Sequence, residues 1–179
     1  MKLDIGCGKN KREGFHGVDQ FPMEGVDTVL KIGTDPWPWE DDSVDEAVAS
    51  HFLEHLTQNE RMHFMNELFR VLKPGGKATV ITPHWASNRA YGDMTHQWPP
   101  VAEMFYYYLK QSWRDTQAPH TDIKWNPDGF TCNFDATWGY SFGPDLGVRN
   151  QEYIQFALQN FKEAAQDLHA TLIKPPAVV

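Results

Sequence analysis

Apolar positions come in short bursts over the first 83 residues and in longer, aromatic-rich stretches after them. Residues 2–5 (KLDI), 15–19 (FHGVD), 26–32 (VDTVLKI), 45–50 (DEAVAS) and 77–82 (KATVIT) each read as a strand. They are short, β-branched and only weakly alternating, as expected where both faces of a sheet are covered. Between the last two, Met65, Leu68, Phe69 and Leu72 fall at i, i+3, i+4 and i+7 and predict a helix over 58–73. Thr57 and Glu60 have capping-box spacing at its start, and Pro74-Gly75-Gly76 reads as its stop. A strand, a helix and a strand in this order predict a right-handed parallel crossover.

From residue 84 the pattern changes. Residues 84–100 read as a loop, 101–113 as a helix with Val101, Phe105 and Leu109 on one face, and 115–128 as another loop. Residues 129–142 alternate enough for a strand. Residues 150–166 carry a helical stripe of Ile154, Ala157, Leu158, Phe161 and Ala165, and 170–174 could be a last strand. The expected architecture is α/β: a doubly wound, Rossmann-like sheet in a single domain over 1–179. Residues 1–83 would form its core, and 84–179 an aromatic-rich C-terminal extension with the substrate-side loop, helix and closing strands.

The chain has 179 residues, enough to bury a core without disulfides or metal. Its net charge of −8 gives no global attraction for a polyanion, so neither nucleic acid nor an anionic membrane is a favoured partner. Two cysteines, Cys7 and Cys132, are too few for a disulfide scaffold and read as free thiols in a reducing compartment. No apolar run is long enough to span a bilayer and the N-terminus has no leader pattern. The expected location is cytoplasmic.

The candidate chemistry begins with Asp4-Ile5-Gly6-Cys7-Gly8 at the first strand's end. Glycines there allow a positive φ and a close approach of backbone N–H groups to a ligand. Asp19 ends the second strand, where a carboxylate can accept both ribose hydroxyls of a nucleoside. A dinucleotide fold is not expected. Nine residues separate Gly8 from Val18, too few for a full crossover helix, and Lys11 stands where a third glycine would.

The blocks LDIGCGKNKREGFHGVDQ, PWPWEDDSVDEAVASHFLEHL and ELFRVLKPGGKATVITP together resemble a class I S-adenosylmethionine-dependent methyltransferase. They look most like the compact, methyltransferase-type-11-like subgroup with a shortened first crossover. The resemblance covers residues 2–83. It implies a seven-stranded sheet with one antiparallel strand and S-adenosyl-L-methionine bound across the strand tips. Asp4, Gly6, Cys7 and Gly8 would line the methionine end, and Asp19 with Gln20 would hold the ribose. Ser50 and His51 would flank the transferred methyl. The acid that usually ends the third strand is replaced by Lys31, leaving Ile32 or Asp35 for the adenine. The family's helix before the first strand is absent, so a partner subunit, in a homo-oligomer, or the 84–128 region would cover the site.

Methyl transfer from a sulfonium needs in-line positioning and, for some acceptors, a base. His51 and His96 are the candidate catalytic residues. His84 is a further candidate, and His55 reads as a structural histidine. Residues 51–55 also fit H-x-x-E-H, the inverted zinc-peptidase pattern, but no third ligand is evident and no metal is expected. A cofactor-binding module without catalysis is the other alternative. Trp85, Tyr91, Trp98, Phe105, Tyr106, Tyr107, Tyr108 and Trp113 could stack on a substrate or build core and lid. Lys9, Lys11 and Arg12 could bind a phosphate or form a solvated turn. The methyl acceptor is not legible.

Overall fold

The computed structural model describes residues 1–125 and 128–176. Its seven strands are β1 (Lys2–Ile5), β2 (His16–Asp19), β3 (Thr28–Val29), β4 (Val44–Ser50), β5 (Leu72–Pro83), β6 (Asp135–Ser141) and β7 (Asp167–Ile173). They form one sheet in the order β3-β2-β1-β4-β5-β7-β6. β7 runs antiparallel to both β5 and β6, while β1 to β5 pair in parallel. This is the α/β sheet that the sequence pattern predicts, with the seven strands and one antiparallel strand that the resemblance implies.

Helix α1 (Gln58–Val71) makes the β4-to-β5 crossover. Its capping box forms: the Thr57 hydroxyl accepts from Glu60 N–H at 3.4 Å, and Glu60 Oε2 accepts from Thr57 N–H at 2.7 Å. Phe64, Met65, Leu68 and Val71 go into the main core with Leu3, Ile5, Val18, Ala47 and Val80. The helix stops at Val71, and Pro74-Gly75-Gly76 lies inside β5 rather than ending the helix. Gly75 N–H donates to Lys174 O at 2.8 Å and Lys174 N–H to Gly76 O at 3.1 Å. Those bonds draw the segment into the ladder, and the register slips between Val44 and Glu46 to accommodate it.

Three other elements differ from expectation. The third strand keeps only two residues. Beyond it Asp35 N–H donates to Lys31 O and its carboxylate accepts from Lys31 N–H at 3.1 Å, closing a turn. The helix expected over 101–113 is split into α3 (Glu103–Tyr107) and α4 (Gln111–Gln117), after the short α2 (Arg89–Gly92). At the break Leu109 O accepts from Phe134 N–H at 3.0 Å, and Arg114 donates to Tyr108 O and Cys132 O. Distant chain thus takes the carbonyls a continuous helix would use. A four-residue α5 (Asp122–Trp125) lies in the expected loop over 115–128, whose residues 126–127 lie outside the described ones.

After α6 (Pro144–Gly147), helix α7 (Gln151–Asn160) ends six residues early. Glu163 N–H donates to Ala86 O, and the Glu163 carboxylate takes Asn88 N–H. Ile154, Ala157, Leu158, Ala164 and Ala165 still bury together as a second apolar cluster.

Candidate functional site

The strand order reverses between β1 and β4, the position where α/β sheets open a crevice beyond their carboxyl ends. Asp4, Gly6, Cys7, Asn10, Arg12 and Ser50 line a cavity of about 330 Å³ there. Gly6 has φ +68°, and a Cβ on it would lie 2.4 Å from Phe52 Cδ2. A side chain at this position meets both the left-handed backbone and the phenyl ring. Gly8 has φ +53°, with open space where a Cβ would project.

Asp19 ties this corner to the neighbouring strand tip. Its Oδ2 accepts from Gly8 N–H at 3.0 Å and its Oδ1 from Phe21 N–H at 3.0 Å. The residue is 8% exposed. A carboxylate has about four acceptor positions. The two backbone bonds leave room for two hydroxyl donors. Asp4 is buried too, and its Oδ2 accepts from Arg12 N–H at 2.7 Å. The Cys7 thiol between them has its pKa raised, first by burial, then by the charges of Asp4 and Asp19. Two carboxylates, Asp4 and Asp19, thus stand at the crevice, with the Arg12 guanidinium 3.8 Å from Asp4.

His51 stands at the end of β4 with φ +53°, and its N–H donates to Ile81 O at 2.8 Å. Its Nδ1 lies 3.2 Å from Glu54 Oε1, and its Nε2 3.9 Å from Asp167 Oδ1. Arg89 pairs with Asp167 at 3.1 Å. The His51 pKa is raised, chiefly by the Glu54 hydrogen bond; burial and Arg89 oppose this, and the Glu54 and Asp167 charges add to it. His51 and His96 line one cavity of about 680 Å³ with Pro83, Arg89, Asp93 and Met94.

Of the residues singled out in the sequence, Asp4, Gly6, Cys7 and Ser50 share the smaller cavity, and Gly8 and Asp19 are joined at its edge. Gln20 is exposed beside them. Ile32 and Asp35 are otherwise engaged: Ile32 packs in the core with its carbonyl on the Trp37 indole, and the Asp35 carboxylate closes its own turn. His84 is fully buried, accepting from Ala86 N–H and bonded to Glu103, a structural arrangement. Lys11 pairs with Asp27 at 2.8 Å, and Arg12 Nε lies 3.8 Å from Asp4, so two of the three basic residues hold the short crossover. In the aromatic set Tyr106 is core, whereas Trp98 is 75% exposed.

The inverted-peptidase geometry is not formed. That motif needs two histidines one turn apart on a helix. Here His51 has a left-handed φ and lies outside the 3₁₀ turn Leu53–His55. Sequence reasoning missed Asn10, Arg12, Asp167 and Arg89. Arg12 was visible only as a basic-run residue, and Asp167 is brought in by the β5–β7 pairing. It also missed Phe21, 60% exposed and bonded through its N–H to Asp19; an aromatic directly beyond a strand-end acid was the available signal.

A doubly wound sheet with a glycine corner and a strand-end carboxylate at its switch point defines a Rossmann-like α/β fold. Residues 15–80 match the family model described as "Methyltransferase domain". A tRNA (carboxymethyluridine(34)-5-O)-methyltransferase of Arabidopsis thaliana is 30% identical over 116 residues, covering 58% of this chain and 28% of that protein. An uncharacterized methyltransferase of Mycolicibacterium vanbaalenii is 32% identical over 81 residues, 45% of this chain and 31% of that one. The chain thus spans less than a third of either curated relative. The crystal structure of a SAM-dependent methyltransferase from Archaeoglobus fulgidus superposes with a TM-score of 0.66 at 19% identity, covering 97% of this chain and 85% of that one. The fold is that of the class I methyltransferases.

Proposed function

We propose that this chain is the catalytic domain of a methyltransferase that uses S-adenosyl-L-methionine. The observation that carries the reading is the Asp19 carboxylate bonded to Gly8 N–H across adjoining strand tips, beside a crevice lined by Asp4, Gly6 and Ser50. The residues fit the cofactor's chemistry. Asp19 has acceptor positions left for two ribose hydroxyls, and Asp4 and Asp19 supply the field a sulfonium and an ammonium require. The bound cofactor supplies a methyl group on a sulfonium leaving group. The protein's part is then positioning and, where the acceptor carries a proton, its removal.

In this reading His51 takes the second task. Its Nδ1–H donates to Glu54, which leaves the Nε2 lone pair at the mouth of the larger cavity. The acceptor would enter there and meet the cofactor near Ser50 and His51. The net charge of −8 disfavours a nucleic-acid acceptor, although the plant relative is named for tRNA.

The test is calorimetric titration with S-adenosylhomocysteine. Wild type is expected to bind one equivalent. Asp19→Ala is expected to weaken binding by about 1–3 kcal/mol, the scale of hydrogen bonds to a charged group. Absence of binding by the folded wild type overturns the proposal; unchanged affinity in Asp19→Ala removes that residue from the site. Binding without turnover over a panel of acceptors would instead favour the non-catalytic module.

A further inference from the structure

Beside the 3₁₀ turn Leu53–His55, the chain at 93–98 folds back onto the start of α1. Gln97 N–H donates to Glu54 O at 2.8 Å. The buried Arg61 guanidinium fastens both segments, donating to Leu53 O and Glu54 O on one side and to Gln97 O and Pro99 O on the other. One donor atom each from Glu54, His55 and His96 lies within 4.8 Å of the other two. The histidine rings approach with centroids 4.9 Å apart.

The hydrogen bonds around this cluster decide its protonation. Thr95 Oγ1 donates its single proton to Asp93 Oδ1 at 2.6 Å, a carboxylate that can only accept. The contact of His55 Nδ1 with Thr95 Oγ1, at 2.9 Å, is therefore donation from the ring. His96 Nδ1 lies 3.2 Å from Ala90 O, a carbonyl, and must donate as well. Neutral rings held this way carry their lone pairs on Nε2. Among the described residues neither Nε2 makes a hydrogen bond; the nearest charged group to that of His96 is Asp93 Oδ2 at 3.9 Å.

Independently, Glu54 is 4% exposed and its Oε2 has no hydrogen-bond partner among the described residues, although Oε1 is bonded to His51. An unpartnered carboxylate oxygen at this depth is costly. One ring nitrogen from each histidine and a carboxylate oxygen converge, and the two Nδ1 atoms are tied to a carbonyl and to a hydroxyl backed by a carboxylate. Metal-binding histidines are held by this outer arrangement.

We propose that Glu54, His55 and His96 form a binding site for a divalent transition-metal ion of the zinc class. Two imidazoles and one carboxylate are a zinc ligand set that leaves a fourth position open. Bound there, the ion clamps the 93–98 segment to the turn before α1. His96 also lines the 680 Å³ cavity, so the cluster borders the proposed acceptor side. The site does not use the H-x-x-E-H pairing, since His51 is not a ligand.

The test is titration of the metal-free chain with Zn²⁺, and with Co²⁺ followed by its visible absorption. One equivalent is expected, with Co²⁺ bands of four-coordinate intensity. His96→Ala and Glu54→Gln are each expected to weaken Zn²⁺ binding at least about tenfold, and Thr95→Val by about 10–100-fold through loss of the outer contact. Circular dichroism selects the variants that remain folded, and His51→Ala, which removes only an outer contact to Glu54, is expected to retain the metal with an affinity weakened by no more than about 10–100-fold. Folded wild type that binds no Zn²⁺ or Co²⁺ overturns the proposal. So does binding unchanged in folded His96→Ala and Thr95→Val, or binding lost in folded His51→Ala. None of these outcomes depends on S-adenosylhomocysteine binding, so this site and the methyltransferase reading fail separately.

Discussion

At Gly6 and Gly8 the backbone is left-handed, at φ +68° and +53°, yet the surroundings differ. A methyl at Gly6 meets the Phe52 ring, while at Gly8 it meets open space. Each substitution by alanine carries the left-handed penalty of about 1–2 kcal/mol. Gly6→Ala adds a steric cost, so urea unfolding should show it to be the more destabilising. Equal losses would mean that the Phe52 ring moves aside freely. Asp4, Gly6, Gly8 and Asp19 were legible because each sits beside a turn whose chemistry is local. Asp167 and Arg89 carried no such signal: they meet His51 through residues far along the chain. His51 was legible only as the residue that leaves β4. Its left-handed backbone and its bond to Glu54 are products of the fold.

Among the elements, α1 was the most legible, since a capping box and an apolar stripe agree on it. Its outer face also holds the loop before β4. Arg70 bonds to the Glu67 carboxylate at 2.8 Å and to the carbonyls of Trp37 and Trp39, while Glu67 accepts from Trp37 N–H. The Arg70 hydrogen bond, above all, holds the Glu67 pKa below its ordinary value. A carboxyl with a depressed folded-state pKa adds stability that is present above its unfolded pKa, about 4.3, and is lost as pH falls through the folded value. Urea midpoints measured between about pH 3 and 7 should therefore fall more steeply in wild type than in Glu67→Gln below about pH 4.3. Parallel curves would mean that the pair contributes nothing through protonation. The helix over 101–113 was misjudged because its pattern is unbroken. What breaks it is Phe134 N–H taking the Leu109 carbonyl and the Arg114 guanidinium taking that of Tyr108, while Arg114 also ties the break to Cys132 O.

For the whole molecule, a ligand that binds the folded chain alone stabilises it by mass action. S-adenosylhomocysteine at 100 times its dissociation constant should add about 2.7 kcal/mol, seen as a raised unfolding midpoint. An unmoved midpoint under those conditions would mean that the ligand binds the unfolded chain equally well. The hand of the β4–α1–β5 crossover needs only strand, helix and strand signals, because parallel crossovers have one hand, whereas the strand order is set by the fold. Local pattern therefore determined the α/β class, the glycine corner and the acid across from it. These depend on backbone sterics and on residues within one or two strands of each other. Only the tertiary structure decided which groups face one another across the larger cavity. Hydrogen bonds between distant segments chose the ring nitrogens that stay free on His55 and His96 and the carboxylate oxygen left unpaired on Glu54, and no spacing along a chain encodes those choices.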